Sequence, residues 1–247
     1  MSKIKTRYIC SNCGATASGW MGKCPECGAW DTMTEEVIQA KGPAVAAREA
    51  AGDKSIPTLL SEISMETEMR VEVGDPELER VLGGGVVPGS VILMAGEPGA
   101  GKSTLLLQMA ANQHLKMLYI SGEESATQIK MRAHRLGIKG ENCHILAETD
   151  LYTVISAITE IQAGIVIIDS IQTIYSPELE SVPGSVSQIR ECSYRLQQLS
   201  KQTGITIILV GHITKEGDIA GPKLMEHIVD VVLHLEGDRQ YNFRLLR

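Results

Sequence analysis

From Leu59 onward, short apolar runs alternate with stretches of helical spacing. Ser90–Ala95 (SVILMA), Met117–Ile120, Ile165–Asp169, Ile205–Val210 and Val229–Leu235 read as strands, and Cys143–Leu146 as a shorter one. Between them, Ser103–Gln113, Ala126–Leu136, Tyr152–Gln162 and a segment from about Val186 to Gln202 read as helices. Leu106, Met109 and Ala110 fall at helical spacing in the first, and Ile189, Cys192, Leu196 and Leu199 form one apolar stripe in the last. Strands that alternate with helices predict an α/β fold with a mostly parallel sheet covered by helices.

Upstream the text changes. Residues 31–57 are rich in Ala and charge and show no clear strand, which reads as a linker. The chain therefore divides into a module at 1–30, a linker at 31–57 and an α/β domain at 58–247. Its 247 residues and 43% hydrophobic content fit one to two globular domains. No apolar run approaches the ~18 residues of a membrane span. MSKIKTRYIC lacks the apolar core of a signal peptide. A cytoplasmic protein without a membrane partner is the expectation. The net charge of −7 hides an asymmetry. Lys3, Lys5, Arg7 and Lys23 against Glu26 leave residues 1–30 at +3, so the remainder stands at −10. That remainder is too acidic to coat nucleic acid wholesale, although local basic loops can still bind phosphate.

Four of the six cysteines form two short pairs, Cys10-x2-Cys13 and Cys24-x2-Cys27. In a reducing compartment this spacing favours Zn²⁺ over disulfides. Each turn directs two thiolates at one ion, with Gly14 and Gly28 following to permit the turn. Four thiolates complete a tetrahedron and leave no open position, so the zinc is structural. A redox CxxC is the competing reading, but that motif follows a strand and does not come twice. Cys143 and Cys192 read as core packing.

Gly96–Ser103 (GEPGAGKS) fits G-x-x-x-x-G-K-[ST], with a strand before it and a helix after it. Gly96, Glu97, Pro98, Gly99, Ala100 and Gly101 would wrap backbone N–H groups around phosphates at a helix N-terminus. Lys102 is expected to reach the β- and γ-phosphates of ATP, Ser103 to ligate Mg²⁺ and Thr104 to contact the α-phosphate. Asp169, ending the buried strand IVIID, is the expected acid for Mg²⁺. Glu123 and Glu124 follow the strand LYIS, where a carboxylate can orient the attacking water. The alternative is a pair of acids in the first turn of a helix, which the macrodipole favours anyway. His212 ends ITIILVG, where it can sense the γ-phosphate or serve as an ordinary structural hydrogen bonder.

Together, CSNCG…CPECGAW, RVLGGGVVPGSVILMAGEPGAGKSTLLLQ, YISGEES, IIDSIQT and VGHITKEG resemble the RadA/Sms family of bacterial recombination and repair ATPases. The resemblance covers nearly the whole chain. It implies a RecA-like core, hexameric rings, and ATP-driven movement on single-stranded DNA that extends joints made by a RecA-type recombinase. Branch migration of recombination intermediates follows from that. By the same resemblance Glu123 matches the catalytic glutamate, with Glu124 as the runner-up, and His212 the γ-phosphate sensor. Tyr175–Ser187 and Thr214–Met225 fall at the two DNA-binding loops, with Lys215, Lys223 and Arg190 as candidate phosphate contacts. The family's KNRFG motif and Lon-protease-like domain belong after Arg244–Arg247, where the chain stops. It therefore reads as a fragment whose own turnover is in question.

Two other functions remain open at this stage. One is a nucleotide-switched adaptor that docks on a recombinase through its zinc finger. The other is a P-loop kinase, disfavoured because no Arg-rich lid segment is evident.

Overall fold

The computed structural model describes residues 5–10, 13–38, 59–62, 70–111, 116–212, 223–237 and 243–247. The N-terminal strands β1 (Lys5–Cys10), β2 (Thr16–Ala17) and β3 (Met33–Ile38) form a small antiparallel sheet in the order β2-β1-β3. β3 lies in the stretch read from sequence as linker without a strand. Its pairing runs from Lys5↔Ile38 to Cys10↔Met33. MTEEVI looks like loop because its apolar face is small. Met33 is buried against Cys10 and Cys24, a contact set by distant partners that local composition does not reveal. The rest of the expected linker lies outside the described residues.

The larger sheet comprises β4 (Val91–Gly96), β5 (Met117–Ser121), β6 (Cys143–Ala147), β7 (Ile165–Asp169), β8 (Thr206–His212), β9 (Val231–Gly237) and β10 (Arg244–Leu246). Among the described residues their order is β10-β9-β4-β8-β7-β5-β6. All neighbours are parallel except β10, which pairs antiparallel with β9. The expected mostly parallel sheet is what the chain builds. β4, β5 and β7 are buried at every position, which is why they read as unbroken apolar runs.

Helices cover both faces. Ile92, Met94, Tyr119 and Ile167 point to one side, toward α1 (Pro76–Val81), α2 (Lys102–Ala111) and α3 (Ala126–Arg135). Val91, Leu93, Ile120 and Ile168 point to the other, toward α4 (Leu151–Ile161) and α5 (Val186–Thr203). The stripe read on α5 packs as expected: Ile189, Cys192 and Leu196 are fully buried and Leu199 lies against them. Cys143 is half-buried against the opposite cluster. A last turn, α6 (Lys223–Glu226), precedes β9. Among the described residues no helix is long and apolar enough to cross a membrane.

Candidate active site and metal centre

In the N-terminal sheet the two cysteine pairs form matching knuckles. Gly14 N–H donates to the Cys10 carbonyl at 2.9 Å and Gly28 N–H to the Cys24 carbonyl at 3.0 Å. Both glycines have φ near +70°, a region that side-chain-bearing residues rarely occupy. The Sγ atoms of Cys10 and Cys27 lie 3.7 Å apart and those of Cys13 and Cys24 3.5 Å apart, with all four within 4.8 Å of one another. These separations exceed the ~2.05 Å of a disulfide. They match the roughly 3.8 Å edge of a tetrahedron with Zn–S bonds of about 2.3 Å. Four sulfurs at that spacing fit Zn²⁺.

The second site forms along the carboxyl edge of the parallel sheet, where open α/β folds bind ligands. Registers align Gly96 with His212, and Ser121 with Asp169. The order β4-β8-β7-β5 therefore sets the phosphate loop, His212, Asp169 and the Glu123 turn side by side. The loop passes directly into α2 at Lys102. Lys102 is almost fully buried, and its Nζ donates to the carbonyls of Gly96 at 2.7 Å and Glu97 at 3.0 Å. Burial lowers its pKa, while the charges of Asp169 and Glu123 oppose that shift. Both carboxylates therefore lie close enough to act on the ammonium.

Geometry separates the two glutamates that local pattern left paired and that the family resemblance ranked with Glu123 first. Glu123 Oε1 accepts from Ser170 Oγ at 2.8 Å and lies 3.3 Å from His212 Nε2. Glu124 turns away and pairs with Arg132 on α3. The turn is held at both ends. Gly122 N–H donates to the Asp169 carbonyl at 3.1 Å, and a Cβ on Gly122 would collide with the Thr173 side chain. Ser121 Oγ accepts from Glu124 N–H at 2.9 Å, and Ser125 opens α3 with a capping box to Gln128.

Asp169 is almost fully buried and accepts from the Tyr119 hydroxyl at 2.5 Å. Burial, then the neighbouring Asp169 charge, push the Tyr119 phenol well above its ordinary pKa, so the hydroxyl keeps its proton and donates. Ser103 and Asp169 together offer the hard oxygen donors that suit Mg²⁺. On the other flank of the loop, Arg244 of β10 packs over Gly101. Beside it a cavity of about 330 Å³ is lined by Thr104, Gln108, Asp75, Glu77, Arg80 and Arg244, among others.

Sequence reading did not single out Tyr119, Arg132, Ser170 or Arg244 as site residues. Tyr119 and Arg244 join the site through strand pairing, Arg132 through the packing of α3, and Ser170 as the residue that follows Asp169. Of the expected DNA contacts, Lys215 lies outside the described residues and nothing is described of the Lys223 side chain. Arg190 is exposed on α5. The expected first DNA loop, 175–187, is folded onto α5. There the buried Gln188 amide accepts from Ser176 N–H and donates to the carbonyls of Ser176, Leu179 and Ser181.

A family model described as an AAA domain matches residues 60–218, and one described as a rubredoxin metal-binding domain matches residues 8–35. The whole chain aligns with proteins named DNA repair protein RadA. Identity is 51% to that of Bacillus subtilis strain 168, 50% to that of Listeria monocytogenes and 45% to that of Pseudomonas aeruginosa, in each case over 55% of the relative's length. The chain belongs to the RadA family of DNA repair proteins. It spans about half the length of the curated RadA proteins it matches. The zinc-ribbon match ends within β3, in keeping with a RadA ribbon that extends past the second cysteine pair.

Proposed function

We propose that this chain is the ATP-hydrolysing core of a RadA-type DNA repair motor, in which a zinc ribbon and a P-loop domain are separable modules. The observation that carries the reading is the position of Glu123. Its carboxylate is partly exposed, held between Ser170 and His212, and near enough to Lys102 to influence its charge.

In this reading the nucleotide phosphates lie in the Gly96–Ser103 loop, and Lys102 exchanges its loop carbonyls for phosphate oxygens. Thr104 meets the α-phosphate. The nucleoside follows the cavity between Thr104, Gln108 and Arg244, where a flat guanidinium suits a base. Ser103 and Asp169 would hold Mg²⁺, which neutralises charge on the β- and γ-phosphates when bound. Glu123 orients a water and accepts its proton, while Ser170 and His212 fix which oxygen of the carboxylate faces that water. His212 then reports the phosphate state to Thr214–Met225, the expected second DNA loop. The finer reading is a hexameric motor that moves on single-stranded DNA, migrates branched intermediates and works beside a RecA-type recombinase. It rests on the RadA relationship.

The test is ATP turnover by the chain with and without single-stranded DNA, with Lys102→Ala as the blank. Turnover that rises with DNA supports a DNA-coupled ATPase. Absence of turnover in both conditions overturns the reading of this chain as a hydrolytic core.

A further inference from the structure

Tyr119 is fully buried in the middle of β5, among the side chains that pack under α2 and α3. A buried phenol needs a partner for its hydroxyl. Here that partner is Asp169 Oδ2, at 2.5 Å across the β5–β7 pair. The Arg132 guanidinium lies against the same hydroxyl and forms the ion pair with Glu124. Four side chains from β7, β5, α3 and the β5–α3 turn thus form one line: Asp169, Tyr119, Arg132, Glu124. Glu123 is the next residue along the backbone.

We propose that Tyr119 and Arg132 are positioning residues for the cation that accompanies the nucleotide. Tyr119 occupies one oxygen of Asp169 and turns the other toward the phosphate loop, while Arg132 ties that setting to the Glu123 turn. The inference rests on the reading of Asp169 as the acid that serves Mg²⁺. Asp169 has little exposed surface, so the rotation of its carboxylate decides whether an oxygen faces the site. A phenol donor removes that freedom. Outer hydrogen bonds of this kind, when lost, cost about 10–100-fold in metal affinity.

Tyr119→Phe keeps the shape of the ring and deletes only the hydroxyl. The experiment is binding of a fluorescent ADP analogue to the chain across a Mg²⁺ series and in EDTA, with Asp169→Asn alongside and a thermal melt of each variant. Tyr119→Phe is expected to raise the half-saturating Mg²⁺ about 10-fold or more, with affinity in EDTA unchanged. Arg132→Gln is expected to shift it in the same direction by a smaller factor. An unchanged Mg²⁺ midpoint in Tyr119→Phe, beside a shifted one in Asp169→Asn, overturns the inference alone. An equal loss of affinity with and without Mg²⁺ also overturns it, because that is what a packing role would give. If Asp169→Asn leaves the Mg²⁺ midpoint unmoved, the assignment of Asp169 falls and the inference with it. Should the Tyr119→Phe melt show unfolding, Arg132→Gln carries the test, and an unmoved midpoint there overturns the proposal.

Discussion

The zinc ribbon and the α/β domain reach order by opposite means. Among the described residues the ribbon buries the hydrophobic side chains Ile9, Cys10, Cys24 and Met33, and two of those four are candidate metal ligands. A core that small does not offset the conformational entropy of about 30 ordered residues, so the sulfur cluster has to close it. The α/β domain instead buries two extensive apolar clusters, one on each face of its sheet. That surplus lets it hold Lys102 and Asp169 almost out of water at the strand ends. The lesson is that buried charge is kept where hydrophobic packing is deepest, whereas metal substitutes for packing where there is little of it.

The sharpest break in this comparison is at a zinc ligand. Cys24→Ser removes one thiolate from a site whose binding free energy in small zinc modules is about 10–16 kcal/mol. The ribbon is expected to lose zinc and its fold. Nucleotide affinity should stay within about twofold if the two modules fold apart. Zinc content and ADP binding on the same sample check this, and a joint loss would show one cooperative unit. A smaller effect is expected in the α/β domain. Ile167→Ala opens a cavity in the centre of β7 and should cost about 2–5 kcal/mol. The melting temperature of the domain should fall while bound zinc stays unchanged.

Local spacing made much of the molecule readable in advance. The two CxxC turns, the phosphate loop, the α5 stripe and the buried strand before Asp169 are patterns of neighbouring residues, and each reappears in the fold. β3 was not readable, because its pairing with β1 spans more than twenty residues of sequence. The choice between Glu123 and Glu124 was equally hidden from local pattern. It depends on Arg132 lying over one carboxylate and on Ser170 and His212, from two different strand ends, meeting the other. Arg244 enters the loop's surroundings only through the antiparallel turn of β10 onto β9.

The central claim is that Glu123, and not its neighbour, serves the attacking water. The direct measurement is ATP turnover and ATP affinity for Glu123→Gln beside Glu124→Gln, both in the background of this chain. The account predicts that Glu123→Gln loses about 10²–10⁴-fold in turnover with affinity unchanged, as removal of a general base does, while Glu124→Gln loses far less. The reverse order of effects would contradict it.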